Sequence, residues 1–183
     1  HYLIIEKLRD TLEEIKTREA DKEWRARIVL ASSELDDPEF TKLLEDCGAM
    51  VVADRYCYGS LPSREQIEIK DGETALRAVA RHYLETSQCP RFMDKAHSTG
   101  RKELIRDLAK EYNADGIIYM SMKFCEFWAY ERVIGVHMLN DEMGIPTIGI
   151  EREYSISSAG QLRTRFQAFI ESLEIKKIQG GKH

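Results

Sequence analysis

The sequence lacks a long apolar run, an excess of positive charge and any close pairing of cysteines, and each absence removes a class of function. No stretch approaches the roughly 20 apolar residues that a bilayer crossing needs, so no membrane role is expected. The formal net charge is -5, which argues against a general affinity for nucleic acid or an anionic membrane surface. The four cysteines, Cys47, Cys57, Cys89 and Cys125, form no C-x-x-C pair, and no histidine stands at zinc-ligand spacing from them. A self-contained zinc site or four-cysteine iron–sulfur site is therefore unsupported. The opening residues do not read as a secretory signal. With a Lys/Glu-rich composition, that places the expected home of the chain in a reducing cytoplasm, with its cysteines as thiols. Repeats and low-complexity tracts are absent too. The first residue is His1 rather than Met, so a piece of a longer chain is expected.

What is present is ordinary globular material: 183 residues, 43% hydrophobic and 32% charged, enough for one sizeable core. In "YLIIEKLRDTLEEIKTRE" the apolar Leu3, Ile4, Leu8, Leu12 and Ile15 fall at helical spacing between charges. Short apolar runs follow at "ARIVLAS" (26–32), "AMVVADRY" (49–56), "ADGIIYMSM" (114–122) and "IPTIGIE" (145–151), each read as a buried strand. Between them lie helical patterns. "DDPEFTKLLEDCG" has Asp36 or Asp37 to cap it, Pro38 for its first turn and Gly48 for its end. "GETALRAVARHYLET", "RKELIRDLAKEYN", "EFWAYERVIGVHMLNDEMG" and "GQLRTRFQAFIESLE" complete the set, and the tail "IKKIQGGKH" is expected to fray.

Four apolar strands separated by helices predict an α/β fold. Its core is a four-stranded parallel sheet, doubly wound in the flavodoxin-like or Rossmann-like manner, in the order 2-1-3-4. Residues 1–24 form an added amino-terminal helix leading to a missing upstream domain, and residues 25–183 form the α/β domain. Ligands of such sheets bind outside the carboxyl ends of the strands, at the point where the strand order reverses. "SSELDD", "RYCYGS", "KFCEFW" and "REYSISSAGQ" are the segments at that edge. Cys47, near a helix end, and Cys89, before a proline, are placed away from it.

Cys125 stands at this edge at the start of a helix. Free cysteine commonly behaves as a small buried hydrophobe, and packing is the plainer reading for both Cys125 and Cys57. The sharper reading of Cys125 has two supports. Amide dipoles at a helix start favour the thiolate, and Lys123 nearby acts in the same direction. Ser158 and Gly160 lead into a helix whose first amides are unpaired, which makes a candidate anion site. The alternative is that Ser158 is simply an N-cap. Phe127 and Trp128 read as core or interface, and His97 and His137 are assigned no chemistry.

"ADGIIYMSMKFCEFWAYE", "GIPTIGIEREYSISSAGQLRTRFQAFIESLE" and "VVADRYCYGSLP" together resemble the 2-hydroxyacyl-CoA dehydratase/benzoyl-CoA reductase family, from about Arg27 to Glu174. The resemblance implies one of two related subunits with the active site between them, together with an ATP-hydrolysing activator iron–sulfur protein and a CoA-thioester substrate. It implies an iron–sulfur cluster, 4Fe-4S or a double-cubane in a homodimeric relative, held by three cysteines of the subunit. Cys125 matches the third of these, and the other two belong to an amino-terminal half that this chain does not resemble. The chain is thus expected to be a carboxyl-terminal domain, inactive alone, within an enzyme that relays low-potential electrons to a CoA thioester. That enzyme would reduce an aromatic ring or remove water from a 2-hydroxyacyl group. The "RYCYGSLP" loop tips the resemblance toward the reductase. Glu126, Tyr154 and Ser155 are the expected substrate-side residues, by position alone. Lys123, Ser158 and Gly160 are the expected cofactor-binding residues. Two other classes remain: a metal-free module binding CoA or a nucleotide at the polar edge, and an assembly domain presenting its amphipathic first helix.

Overall fold

The computed structural model describes residues 2–19, 23–57, 59–61, 64–86, 88–91, 94–154 and 159–180. The four apolar runs form one sheet: β1 (Ala26–Ala31), β2 (Ala49–Arg55), β3 (Gly116–Met122) and β4 (Thr147–Arg152). All neighbours pair in parallel, in the order β2-β1-β3-β4. Every strand therefore ends at one edge. The order reverses between β1 and β3, as the alternation of elements predicts.

Helices cover both faces and divide the core in two. Phe40, Leu43 and Leu44 of α2 (Pro38–Glu45) pack with Leu162, Phe166, Ile170 and Leu173 of α6 (Ala159–Gly180) against Ile28, Leu30, Ile118 and Ile150. On the other face, Ile105, Leu108 and Ala109 of α4 (Lys95–Glu111) and Trp128 of α5 (Glu126–His137) meet Val29, Ala31, Ile117 and Tyr119. Alternate residues of β1 serve opposite faces, as the two-residue strand period requires. At Gly135 of α5, an added Cβ would come within 2.5 Å of the Tyr119 ring. Only glycine lets the helix approach β3 so closely.

Local signals set several boundaries. Asp37 caps α2 by accepting from the Glu39 amide at 3.1 Å, with Pro38 in the first turn. Asp94 caps α4, accepting from the His97 amide at 2.8 Å, so this helix starts earlier than its apolar pattern. The helix α3 (Ala75–Thr86) precedes it. Two expectations change. The segment after α5 leaves α-helical geometry for a π-helical turn, Met138–Glu142. The tail expected to fray continues α6 to Gly180. The amino-terminal pattern forms α1 (Tyr2–Thr17), none of whose residues is buried.

Candidate functional site

The strand ends enclose a cavity of about 520 Å³. The turn after β1 contributes Ser33, Glu34 and Asp36, and the turn after β2 contributes Cys57. Met122 and Cys125 come from the end of β3 and the turn beyond it, with Phe127 and Trp128 from the start of α5. Tyr154 follows β4. Cys89 and Arg91 enter from the segment between α3 and α4. All four sequence segments placed at this edge supply wall residues. Cys89 corrects the expectation that it lies elsewhere. Arg55 at the end of β2 donates from Nη2 to the Gln88 carbonyl at 2.9 Å, and this draws the segment over the strand ends.

Three thiols thus line one cavity. Two of them follow residues in the left-handed region: Gln88 (φ 45°) precedes Cys89 and Phe124 (φ 66°) precedes Cys125. Such a backbone costs about 1–3 kcal/mol at a non-glycine residue and concentrates where a site needs a particular orientation. Phe124 is fully exposed, so packing of its own ring does not offset that cost. Cys125 is the N-cap of α5 with extended geometry, and its side chain makes no cap hydrogen bond. Its carbonyl accepts from the Ala129 amide at 2.9 Å, starting the helix at a residue of the cavity wall.

The Cys57 loop is held differently. Asp54 Oδ1 accepts from the Ser60 amide at 3.0 Å, the Asp54 carbonyl accepts from Ser60 Oγ at 2.9 Å, and the Cys57 amide donates to the Ser33 carbonyl at 3.3 Å. A Cβ on Gly59 would lie 2.1 Å from Asp54 Oδ1, so the loop closes only with glycine there. Burial pushes the Cys57 thiol up, and the Arg55 charge pulls the other way.

A buried charged cluster joins α4, α5 and β3. Glu131 of α5 accepts from Arg101 Nε at 2.8 Å and Nη2 at 2.9 Å, and from Lys102. Tyr119 donates to the same carboxylate at 3.3 Å. Burial works to raise the Glu131 carboxyl, but Arg101 and Lys102 outweigh it and hold it below its ordinary value. Burial lowers Lys102 and raises Tyr119 well above the phenol range. Arg55, wholly buried, lies over the Trp128 ring at 5.3 Å. Its Nε and Nη1, with Ser32 Oγ and Gln88 Oε1 near the same strand ends, have no partner of ordinary hydrogen-bond geometry among the described residues.

The expected site residues separate. Cys125 and Tyr154 line the cavity. Tyr154 donates to Asp36 at 3.0 Å, and that bond raises its phenol. Glu126 is exposed in the first turn of α5, and Lys123 pairs with Glu153 at 2.8 Å on the surface; neither lines the cavity. Gly160 is exposed in the first turn of α6, also off the cavity wall. Ser155 and Ser158 lie outside the described residues. Pattern reading missed Cys89, Arg55 and Arg91. The one available signal was that Arg55 ends an apolar strand, where a charge must find a buried partner.

Residues 2–173 match the family described as 2-hydroxyglutaryl-CoA dehydratase, D-component. The chain belongs to this dehydratase family. It is 29% identical over 170 residues to the (R)-phenyllactyl-CoA dehydratase beta subunit of Clostridium sporogenes, covering 92% of this chain and 43% of that protein. It is 25% identical over 169 residues to the lactoyl-CoA dehydratase subunit beta of Anaerotignum propionicum, covering 91% and 43%. The chain therefore spans less than half the length of these relatives.

In this dehydratase-family chain, no three His, Cys, Asp or Glu side chains among the described residues stand together to hold a single metal ion. The donor chemistry of the cavity is that of a thiolate-bound group: soft sulfur ligands, and buried donors without partners beside them. An iron–sulfur cluster takes cysteine thiolates on several irons, and so does not need its ligands gathered around one ion. The three cysteines of the cavity wall are of the ligand type such a group takes.

Proposed function

We propose that this chain is a domain of a 2-hydroxyacyl-CoA dehydratase subunit, and that Cys125 ligates an iron–sulfur cluster at the strand-end cavity. The observation that carries the reading is Cys125 itself. It is held at the start of α5 by a left-handed Phe124, its side chain free of a cap bond, on the wall of a cavity with two further thiols. The names of the relatives favour removal of water over ring reduction, and so favour the dehydratase over the reductase that the "RYCYGSLP" loop suggested. A bound cluster would supply one-electron chemistry and an open iron acting as a Lewis acid.

The residues of the chain have their own parts in this reading. Cys125, at a helix start, sits where amide dipoles favour thiolate. Trp128, Phe127 and Met122 make the apolar wall that limits water. Tyr154, bonded to Asp36, offers a polar group beside an acyl chain. A second subunit, an ATP-hydrolysing activator and a CoA thioester complete the proposed enzyme. Residues 25–183 would form the α/β domain and residues 1–24 the lead from upstream sequence.

The test uses the complete reading frame produced anaerobically with its neighbouring subunit. Iron and acid-labile sulfide are measured in the wild type and in Cys125→Ser. Loss of most of both in the variant supports the reading. Equal contents, whether loaded or empty, overturn it and leave a metal-free binding module.

A further inference from the structure

Arg55 is a buried group that the proposed function does not use. It is wholly buried at the end of β2. Nη2 donates to the Gln88 carbonyl and the side chain reaches the Cys57 thiol, while Nε and Nη1 have no partner of ordinary hydrogen-bond geometry among the described residues. Its guanidinium covers Trp128, three residues beyond Cys125, and its charge acts on Cys57; Trp128, Cys57 and Cys125 all line the cavity. Arginine stays protonated in proteins, so a permanent positive charge sits against Trp128 and Cys57, on the inner side of the cavity wall. A buried cation normally has an anionic partner.

The partner is not found within the neighbouring cluster. Arg55, Arg101 and Lys102 are three buried bases, and Glu131 is the buried carboxylate facing them. That carboxylate is already occupied by the other two bases and by Tyr119. Glu34 and Asp36 stand on the wall after β1, and Asp36 is bonded to Tyr154. The interior beside Trp128 therefore has positive charge in excess, one side chain removed from a cavity lined by thiols. A thiolate-bound iron–sulfur group is anionic, and becomes more so on reduction.

We propose that Arg55 is the buried counter-charge of the iron–sulfur group that Cys125 would ligate, and that it raises the reduction potential of that group. The inference rests on the function proposed above. A nearby cation favours the reduced, more negative state. In a partly buried setting one unit charge is worth roughly a tenfold change in the reduction equilibrium, which for one electron is about 59 mV.

The experiment compares wild type, Cys125→Ser, Arg55→Met, Arg55→Gln and Arg55→Lys in the complete protein with its partner subunit. Iron, sulfide and thermal unfolding are measured first, then the midpoint potential by redox titration followed by electron paramagnetic resonance. The expected result is a folded, loaded Arg55→Met whose midpoint falls by about 59 mV, the equivalent of a tenfold shift toward the oxidised state, with Arg55→Lys near wild type. Arg55→Gln carries the same expectation if Arg55→Met does not fold. Cluster loss from a folded neutral variant, restored by Arg55→Lys, also supports the counter-charge. A midpoint unchanged in the neutral variants overturns the inference while leaving Cys125 as ligand. Iron content indifferent to Cys125→Ser overturns the function, and the inference with it.

Discussion

Glu131 carries the heaviest load of any single side chain outside the cavity wall. It is the carboxylate shared by Arg101 and Lys102 in the interior, and it accepts from Tyr119. Glu131→Gln would leave two buried cations facing an amide. Removal of one partner from a buried ion cluster costs about 3–5 kcal/mol, so the urea midpoint should fall by the equivalent. Lys102→Met removes the excess positive charge of this cluster and should cost far less, and the contrast between the two variants is the check. Phe124 offers a second prediction at this scale. Its ring is exposed while its backbone is left-handed. Asn tolerates that conformation and β-branched residues do not. Phe124→Asn should therefore be more stable than Phe124→Val by about 1 kcal/mol or more in matched urea titrations. Little side-chain packing changes in either variant, so the difference reports backbone strain beside Cys125.

At the scale of elements, sequence patterns were reliable where one face had to be buried. The four strands follow from β-branched apolar runs, and α2 from Asp37 and Pro38 at its start. The π-helical turn at Met138–Glu142 was not legible. There the Asn140 side chain both donates to the Thr147 carbonyl and accepts from the Thr147 amide, each at 2.7 Å. This tie to β4 depends on a contact between elements, not on periodicity. The helix α1 is the opposite case: its amphipathic spacing was plain, yet none of its residues is buried. Helical periodicity states that a face can be buried, not that it is. Deletion of residues 1–17 should lower the helical circular dichroism signal and leave the unfolding midpoint of the rest nearly unchanged.

The whole molecule is stabilised by carboxylates held in their charged form, which sets its response to acid. Glu73 is the plainest example. Arg81 hydrogen bonds, with the Lys70 amide, hold its carboxyl down to about 2. An unfolded Glu takes up its proton near its ordinary value, roughly 4.3. Above that value the stabilisation is fully present, and it is lost as pH falls toward the folded value near 2. Glu73→Gln should accordingly destabilise the protein at pH 7, with the difference from wild type shrinking between about pH 4 and pH 2. A pH series of thermal unfolding checks the sign.

The sequence by itself determined the element types, their order and the single edge where the strand ends meet. These depend on local periodicity, caps and the handedness of parallel crossovers, all of which act over short stretches of chain. It also put Cys125 and Tyr154 at that edge. Only the tertiary structure decided which side chains share the cavity. It brought Cys89 in through the Arg55–Gln88 bond, set Arg55 against Trp128 from a different element, and left Glu126, Lys123 and Gly160 off the cavity wall. The physical reason is that burial of a charge or a thiol is decided by partners distant in the chain. No spacing rule encodes those partners.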